Sequence, residues 1–304
     1  MKMSDVPITK RAATLSVESV SGLEWRQLHA ADQARLREAR LQAHYAVQWL
    51  ARTARAYIRP ELDDGHTSLT WEHSLEGFMT RPLSDGVRLS LQVPTLTLSL
   101  HEGDAKDDIN SLSISGRQDE RVREWLGDLL RAIRLDPRVL DAQSPYKMPA
   151  HGIALGSAYD SVGSADTLAE LAAWFANAES LLRQVRRQMM GSRLAASPVR
   201  CWPHHFDLAT LTSLPIRSAD TIGYIGAGLS PGDEYYDEPY FYISVYPGPD
   251  SAKLPSLPRL GNWHTREFTA AIMPAHKLLT AQDQEVEAVD FLQAAVGSAI
   301  KLLS

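Results

Sequence analysis

Cysteine is nearly absent from this chain of 304 residues, since Cys201 is its only thiol. One thiol cannot form an internal disulfide, so the fold would gain nothing from an oxidising compartment. The N-terminal segment MKMSDVPITKRAATLSVESV lacks the apolar stretch of a signal peptide, and no uninterrupted apolar run approaches the roughly 20 residues that span a bilayer. These absences predict a cytoplasmic protein with no membrane partner.

Clustered positive charge is also scarce. The chain has 31 Lys and Arg against 37 Asp and Glu, a net charge of −6, and its densest basic segment is the short RQVRRQ around Arg186. Nucleic acids are bound mainly through phosphate contacts from Lys and Arg. The composition therefore predicts no nucleic-acid partner, and it leaves the oligomeric state open.

The patterns that are present predict a globular α+β protein. Apolar residues make up 44% of the chain and charged residues 22%, which is typical of a folded domain. Helical spacing of apolar residues covers 24–58, 119–133, 165–190 and 284–303. Between these segments, short stretches with strand character predict about five strands in each half, at 66–71, 75–81, 86–93, 96–101, 110–115, 198–202, 206–212, 221–228, 239–246 and 266–273.

The order of elements repeats, which predicts two pseudo-repeated α–β–α halves. TWEHSLEGF (70–78) aligns without a gap onto CWPHHFDLA (201–209), and the same offset pairs Leu50 of the first long helix with Leu181 of the second. Within the hairpins it pairs Trp71 with Trp202, His73 with His204, and Glu76 with Asp207. The simplest architecture is a mainly antiparallel sheet covered by helices. Alternatively, the alignment is coincidental, because any two amphipathic α+β halves can be aligned at some offset.

Composition sets the domain boundaries. We expect a flexible N-terminus at 1–22, a first α+β half at 23–140, and a second half at 164–304 that carries the candidate site. Residues 141–163 are rich in Pro, Gly and Ser and are interpreted as a linker.

Three motifs fail on chemical grounds. GLSPG (228–232) resembles a nucleophile elbow, but Pro231 after Ser230 has no N–H for an oxyanion hole. GYIGAG (223–228) has its glycines in the reverse order of a dinucleotide loop, and glycines in a strand indicate a close approach of the chain. Cys201 precedes a tryptophan and is interpreted as a small buried hydrophobe.

Two segments remain as a candidate site, CWPHHFDLAT (201–210) and LSPGDEYYDEPYFYISVYP (229–247). In the first, His204 or His205 is a candidate catalytic base or ligand, and Asp207 would orient it. The second places acids on a loop at a strand end, where sites are commonly built. The candidate ligand-binding residues are Trp202, Asp233, Glu234, Glu238, Tyr240 and Tyr242.

The same residues allow a divalent metal with mixed nitrogen and oxygen ligands, formed by His205, Asp207 and Glu234. A metal-free protein is the favoured prediction, because metal sites usually show stronger spacing than His-His-x-Asp. In the structural alternative, Pro203 sets a turn, a histidine bonds to a carbonyl, and the acids form a solvated loop.

The blocks WPHHFDLA and GDE followed by EPYFY resemble a bacterial family of roughly 300-residue proteins known only as a domain of unknown function. The resemblance covers most of the chain, and its specificity lies in these two blocks. It implies no activity, substrate or catalytic residue.

The sequence thus supports two hypotheses. In the first, the second half holds a pocket for a small molecule or metal, and any reaction there would be hydrolytic or isomerising acid–base chemistry. In the second, the chain is a non-catalytic binding or assembly module whose His-His-x-Asp segment is structural. The surroundings of His205 distinguish them: a concave opening with carboxylates favours the first hypothesis, and an imidazole bonded to backbone beneath a helix favours the second.

Overall fold

The computed structural model describes residues 24–83, 86–102, 108–192, 194–215 and 222–303. The predicted flexible segment 1–22 lies outside these residues. Within them the chain is a mixed α+β protein with antiparallel sheets, as predicted. None of the described helices has the length and apolar character needed to cross a membrane.

The first half contains a long helix, a five-stranded meander in the order β1-β2-β3-β4-β5, and a second helix. The helices are α1 (Gln33–Tyr57) and α2 (Asp119–Ala132), and the strands are β1 (Thr70–Glu72), β2 (Gly77–Met79), β3 (Val87–Gln92), β4 (Thr97–Glu102) and β5 (Asp108–Ser113).

The second half contains three helices and a seven-stranded sheet in the order β11-β12-β10-β9-β8-β6, with β7 also paired to β8. The helices are α3 (Ala165–Gly191), α4 (Ala275–Leu278) and α5 (Gln284–Leu303). The strands are β6 (Ala195–Ala196), β7 (Arg200–Trp202), β8 (Asp207–Pro215), β9 (Ile222–Ser230), β10 (Tyr240–Tyr246), β11 (Asn262–His264) and β12 (Ala270–Pro274).

The start of α1 corrects one predicted boundary. The helix was expected from residue 24, but it begins at Gln33 because Asp32 caps it: the Asp32 carboxylate accepts a hydrogen bond from the Arg35 N–H at 3.0 Å. The helix ends at Tyr57, two residues before Arg59-Pro60, where the following proline disfavours helical backbone.

The two halves do not share one continuous sheet. Their sheets meet at a single antiparallel bridge, in which the Leu69 N–H donates to the Cys201 carbonyl at 2.9 Å and the Cys201 N–H donates to the Leu69 carbonyl at 2.8 Å. Both residues are fully buried. Cys201 is therefore a small core residue, as predicted, and burial raises the pKa of its thiol well above the usual value.

The aligned hairpins have the same form, but their residue pairing was predicted one position out of register. Each has a four-residue turn, at 73–76 and 203–206, that ends in left-handed backbone at Glu76 or Phe206. Trp71 is the buried middle residue of β1, whereas Trp202 is the last and half-buried residue of β7. Because side chains alternate along a strand, a shift of one residue reverses the face of each side chain. The predicted pairing of Trp71 with Trp202 is therefore wrong.

An aromatic cluster joins the two hairpins to α3. Phe175 of α3 lies with its ring centroid 4.9 Å from that of Phe78 and 5.2 Å from that of Phe206. His44 of α1 extends the cluster, because its ring stacks on Phe206 at 5.1 Å with an interplanar angle of 6°. The contacts bring α1, α3 and both hairpins together.

The strand glycines of GYIGAG were expected to mark a bulge or a close approach of backbone, and Gly228 instead makes room for a side chain of the neighbouring strand. Gly228 of β9 pairs with Tyr242 of β10, and a Cβ atom at Gly228 would lie 2.5 Å from the Tyr242 ring. The missing side chain allows the tyrosine to lie across the strand, so that its hydroxyl reaches Asp207 at the start of β8.

This contact predicts that Gly228→Ala destabilises the fold by about 1–3 kcal/mol, because the added methyl group would displace a packed ring. The matched control is Gly297→Ala in α5, where an added Cβ meets no atom within 4 Å; we expect it to stabilise the chain by about 0.5–1 kcal/mol through helix propensity. Urea unfolding of both variants measures the difference. Equal stability of Gly228→Ala and the wild type would contradict the packing argument.

Candidate functional site

The turn 203–206 is held in place by α1. The carbonyl oxygen of Pro203 accepts two hydrogen bonds, from His44 Nε2 at 2.8 Å and from Gln48 Nε2 at 2.9 Å. Both donors are buried side chains one helical turn apart. Together with the stacking of Phe206 on His44, they fix the turn that carries His204 and His205.

These two histidines line a cavity of about 670 Å³, a size typical of small-molecule sites. Four segments contribute its walls: α1, residues 147–150, the turn 203–206, and the loop between β9 and β10. The lining residues are Arg37, Arg40, Leu41, His44, Lys147, Met148, Pro149, Ala150, His204, His205, Phe206, Pro231, Gly232, Asp233, Glu234 and Asp237.

The imidazoles of His204 and His205 are free to meet a ligand, since neither makes a side-chain hydrogen bond with another residue in the described ranges. Their ring centroids are 4.2 Å apart. His204 is half-buried, and its ring lies 5.8 Å from Tyr146 and 6.2 Å from Trp202. Desolvation, followed by the neighbouring His205, lowers the pKa of His204 from 6.5 to about 4, so His204 is neutral at pH 7.

The acidic loop supplies a second wall, in which Asp233 has a structural role. One oxygen of its carboxylate accepts hydrogen bonds from the N–H groups of Tyr235 at 2.8 Å and Tyr236 at 3.1 Å. The other accepts the hydroxyl of Tyr240. Burial raises the pKa of Tyr240, so this hydroxyl stays a donor. Glu234, next in the chain, is exposed and faces the cavity.

Arg40 crosses from α1 to the same loop. Its Nη2 donates to Asp237 at 3.0 Å, and Arg37, one turn earlier, lies 3.5 Å from the other oxygen of that carboxylate. The Arg40 side chain is only 9% exposed, and its Nη1 is buried without a hydrogen-bond partner. Desolvation lowers the pKa of Arg40 despite the nearby Asp237. Gly232 has a φ of +112° and leaves room for the guanidinium, because a Cβ there would lie 2.0 Å from Nη1.

Asp207 does not orient either histidine, which corrects the predicted arrangement. It begins β8, and its Oδ2 accepts the hydroxyl of Tyr242, while its Oδ1 is buried without a partner. Burial raises the pKa of the Asp207 carboxyl. It is not among the residues that line the cavity.

The remaining predicted ligand residues lie around the cavity and not in its wall. Glu238 accepts from the His276 N–H at 2.8 Å and contacts the His276 ring at 2.6 Å, at the start of α4. Trp202 packs edge-on against His204, and the hydroxyls of Tyr240 and Tyr242 support the two aspartates.

The predicted metal ligands, His205, Asp207 and Glu234, are not assembled. No group of three or more His, Cys, Asp and Glu side chains in the described part of the chain is arranged to hold a metal ion. The reason is that Asp207 bonds to Tyr242 within the sheet, whereas His205 and Glu234 face the cavity.

The structure adds a wall that the sequence argument missed, because the site was expected within the second half alone. Arg37, Arg40 and His44 come from α1, and Lys147 comes from the predicted linker. That segment packs along α1: Tyr146 donates to Gln48 Oε1 and Tyr45 donates to the Pro149 carbonyl, both at 2.7 Å. The sequence does contain a pattern that indicates this wall. Arg40, His44 and Gln48 are spaced four residues apart and form a polar stripe on an otherwise apolar face of the helix.

Comparison of the chain with protein-family models, curated proteins and solved structures gave no match. The resemblance to a bacterial family of unknown function therefore stays a prediction.

The buried imidazole of His44 predicts a pH-dependent stability. Desolvation lowers its pKa from 6.5 to about 4. Between these values the unfolded chain binds a proton that the folded chain does not, so the stabilisation by neutral His44 is complete above pH 6.5 and is lost as the pH falls towards 4. We expect the stability difference between wild type and His44→Gln to shrink by up to about 3 kcal/mol across this interval.

The matched control is Gln48→Leu, which removes the other donor to the Pro203 carbonyl and leaves the imidazole in place. Its stability deficit should stay constant with pH. Unfolding free energies measured at pH 7, 5.5 and 4 give the comparison, and a constant deficit for His44→Gln would refute the assignment.

Proposed function

We propose that the cavity binds a small polar molecule through the ring nitrogens of His204 and His205. The observation that carries this proposal is the pairing of an open cleft of about 670 Å³ with two imidazoles that have no hydrogen-bond partner in the described chain. Polar side chains that are left without partners in a concave site are the usual means of fixing a ligand. The surroundings of His205 favour the pocket hypothesis, because carboxylates share its cavity.

The two imidazoles would have different roles. His204, neutral at pH 7, offers one donor and one acceptor and is too weak a base to hold a proton there. His205 is exposed at the mouth of the cavity and is the candidate for proton transfer. Any reaction would be hydrolytic or isomerising acid–base chemistry. No metal is required, and a binding function without turnover fits the same geometry.

A fragment screen on protein labelled with ¹³C at histidine Cε1 tests this proposal. We expect compounds to be found that shift the signals of His204 and His205. The substitutions His204→Gln and His205→Gln should each weaken such a compound by about tenfold, the effect of losing roughly one hydrogen bond.

The control for this screen is His29→Gln, because the His29 side chain is 74% exposed and does not line the cavity. This variant should bind as the wild type does. If no compound shifts either signal, or if binding survives the double substitution of His204 and His205, the cavity is not a ligand site.

A second candidate function, self-association, is favoured by the outer face of the second sheet. Cross-strand pairing places Leu211, Tyr224 and Tyr246 on one face, where they are 48%, 36% and 67% exposed. Ile222, two residues before Tyr224, is 57% exposed on the same face. An exposed apolar patch on a sheet is typical of a protein interface. The occupant that we propose is a second copy of the chain, since one patch can pair with itself about a twofold axis.

Light scattering during size-exclusion chromatography tests this second candidate. We expect a concentration-dependent dimer that Leu211→Lys with Tyr246→Lys converts to a monomer, because the added charges would be buried in the interface. Retention of the dimer in that variant, or a monomer at all wild-type concentrations, would exclude this face as an interface.

We also infer that the chain arose by internal duplication. In support, each long helix contacts the turn in the other half: Gln48 of α1 donates to the Pro203 carbonyl, and Glu179 of α3 bonds His73 Nε2 at 2.7 Å. Gln48 and Glu179 are 131 positions apart, whereas His73 and Pro203 are 130 positions apart. A deletion of one residue between the helix and the turn of the second half would therefore relate the two halves. The cytoplasmic location and bacterial origin remain predictions.

A further inference from the structure

The charges in the cavity wall are separated by sign between segments of the chain. The cations are Arg37 and Arg40 of α1 and Lys147 of the segment 147–150. The acids all come from the loop between β9 and β10, and they are Asp233, Glu234 and Asp237. With His44 and His204 neutral, formal charges of three positive and three negative groups cancel. The cavity is therefore strongly polarised but has little net charge.

Most of these charges already have partners, and two do not. Asp233 is held by Tyr240 and two backbone N–H groups, and Asp237 is paired with Arg37 and Arg40. Lys147 and Glu234 line the same cavity, and neither makes an ion pair or side-chain hydrogen bond with another described residue. One free cation and one free anion thus face the cavity.

Arg40 adds to the positive charge of this wall. It lines the cavity and pairs with Asp237 through Nη2, while its Nη1 is buried against Gly232 and has no acceptor. Together with Arg37 and Lys147, Arg40 makes this side of the cavity attractive to a negatively charged group.

A purely anionic ligand would be attracted by Arg40 and Lys147 but repelled by the acids of the loop. A purely cationic ligand would be attracted by the acids and repelled by Arg40 and Lys147. A molecule with both charges gains at each wall. We infer that the ligand is a small zwitterion, with an anionic group at Arg40 and Lys147 and a cationic group at Glu234. This inference rests on the proposed ligand-binding function of the same cavity and names its substrate class.

A charge-matched series of probes tests the inference with the full-length protein. The zwitterions are the ω-amino acids from glycine to 6-aminohexanoate, together with glycylglycine. Each ω-amino acid is compared with a carboxylate and an amine of the same chain length, for example 5-aminovalerate with valerate and pentylamine. Affinities are measured by NMR titration of the His204 and His205 signals. We expect at least one zwitterion to bind about tenfold or more tightly than both of its singly charged analogues.

Two exposed residues allow the walls to be tested separately. Lys147→Gln should weaken the best zwitterion by about three- to tenfold and leave the matched amine no weaker. Glu234→Gln should weaken the zwitterion similarly and leave the matched carboxylate no weaker. Lys301→Gln and Asp290→Asn make the same charge changes at exposed positions of α5 outside the cavity and should have no effect.

The outcomes separate this inference from the function on which it rests. If uncharged or singly charged compounds bind at His204 and His205 as tightly as every zwitterion, the cavity is a ligand site and the zwitterion is refuted. If compounds of every charge type leave both signals unmoved, the proposed function fails as well. Equal zwitterion affinity in Lys147→Gln, Glu234→Gln and the α5 controls would also overturn the inference.

Discussion

The stacking of Phe206 on His44 is the contact on which the arrangement of the site depends. Phe206 ends its turn in left-handed backbone with φ of 59°, a conformation that is uncommon for a large side chain. The conformation persists because the ring is enclosed by His44, Phe78 and Phe175. If the ring were released, only the two hydrogen bonds to the Pro203 carbonyl would hold the turn against α1, and the start of β8 would be less firmly fixed.

The same contact explains why polar groups are tolerated so deep in the structure. His44 packs as an aromatic ring on one face and donates a hydrogen bond at its edge, so one side chain serves both the apolar cluster and the Pro203 carbonyl. Around it the polar groups are less well satisfied, as at Arg40 Nη1 and Asp207 Oδ1. Native folds usually satisfy buried polar atoms, so these two atoms are exceptions.

The long elements could be predicted from the sequence because their periodicity is local. The helices at 119–132, 165–191 and 284–303 match the predicted segments within one residue at each end. The strands β6 and β11 were missed because two or three residues are too few to show alternation. The division into two sheets was missed for a different reason, since it depends on which strands meet in space and only one bridge joins them.

The site was predictable only where its residues are neighbours in the chain or stand in a turn. His204, His205, Asp233 and Glu234 were found in this way, and all four line the cavity. Asp207 was assigned to the histidines because it follows them closely in the sequence. It begins a strand, however, and its side chain bonds to Tyr242 of β10 in the same sheet instead. Arg40 was missed because its helix was interpreted by its apolar face alone.

The cavity draws its walls from segments that are far apart in the chain, and Arg40 and Asp237, which touch each other, are 197 positions apart. No local part of the fold can therefore form the site by itself. A bound molecule would add its binding free energy to the unfolding of the whole chain and not to the opening of one loop. Occupancy of the cavity would then protect remote backbone amides from hydrogen exchange, and a destabilising substitution anywhere in the core would reduce the fraction of chains that can bind.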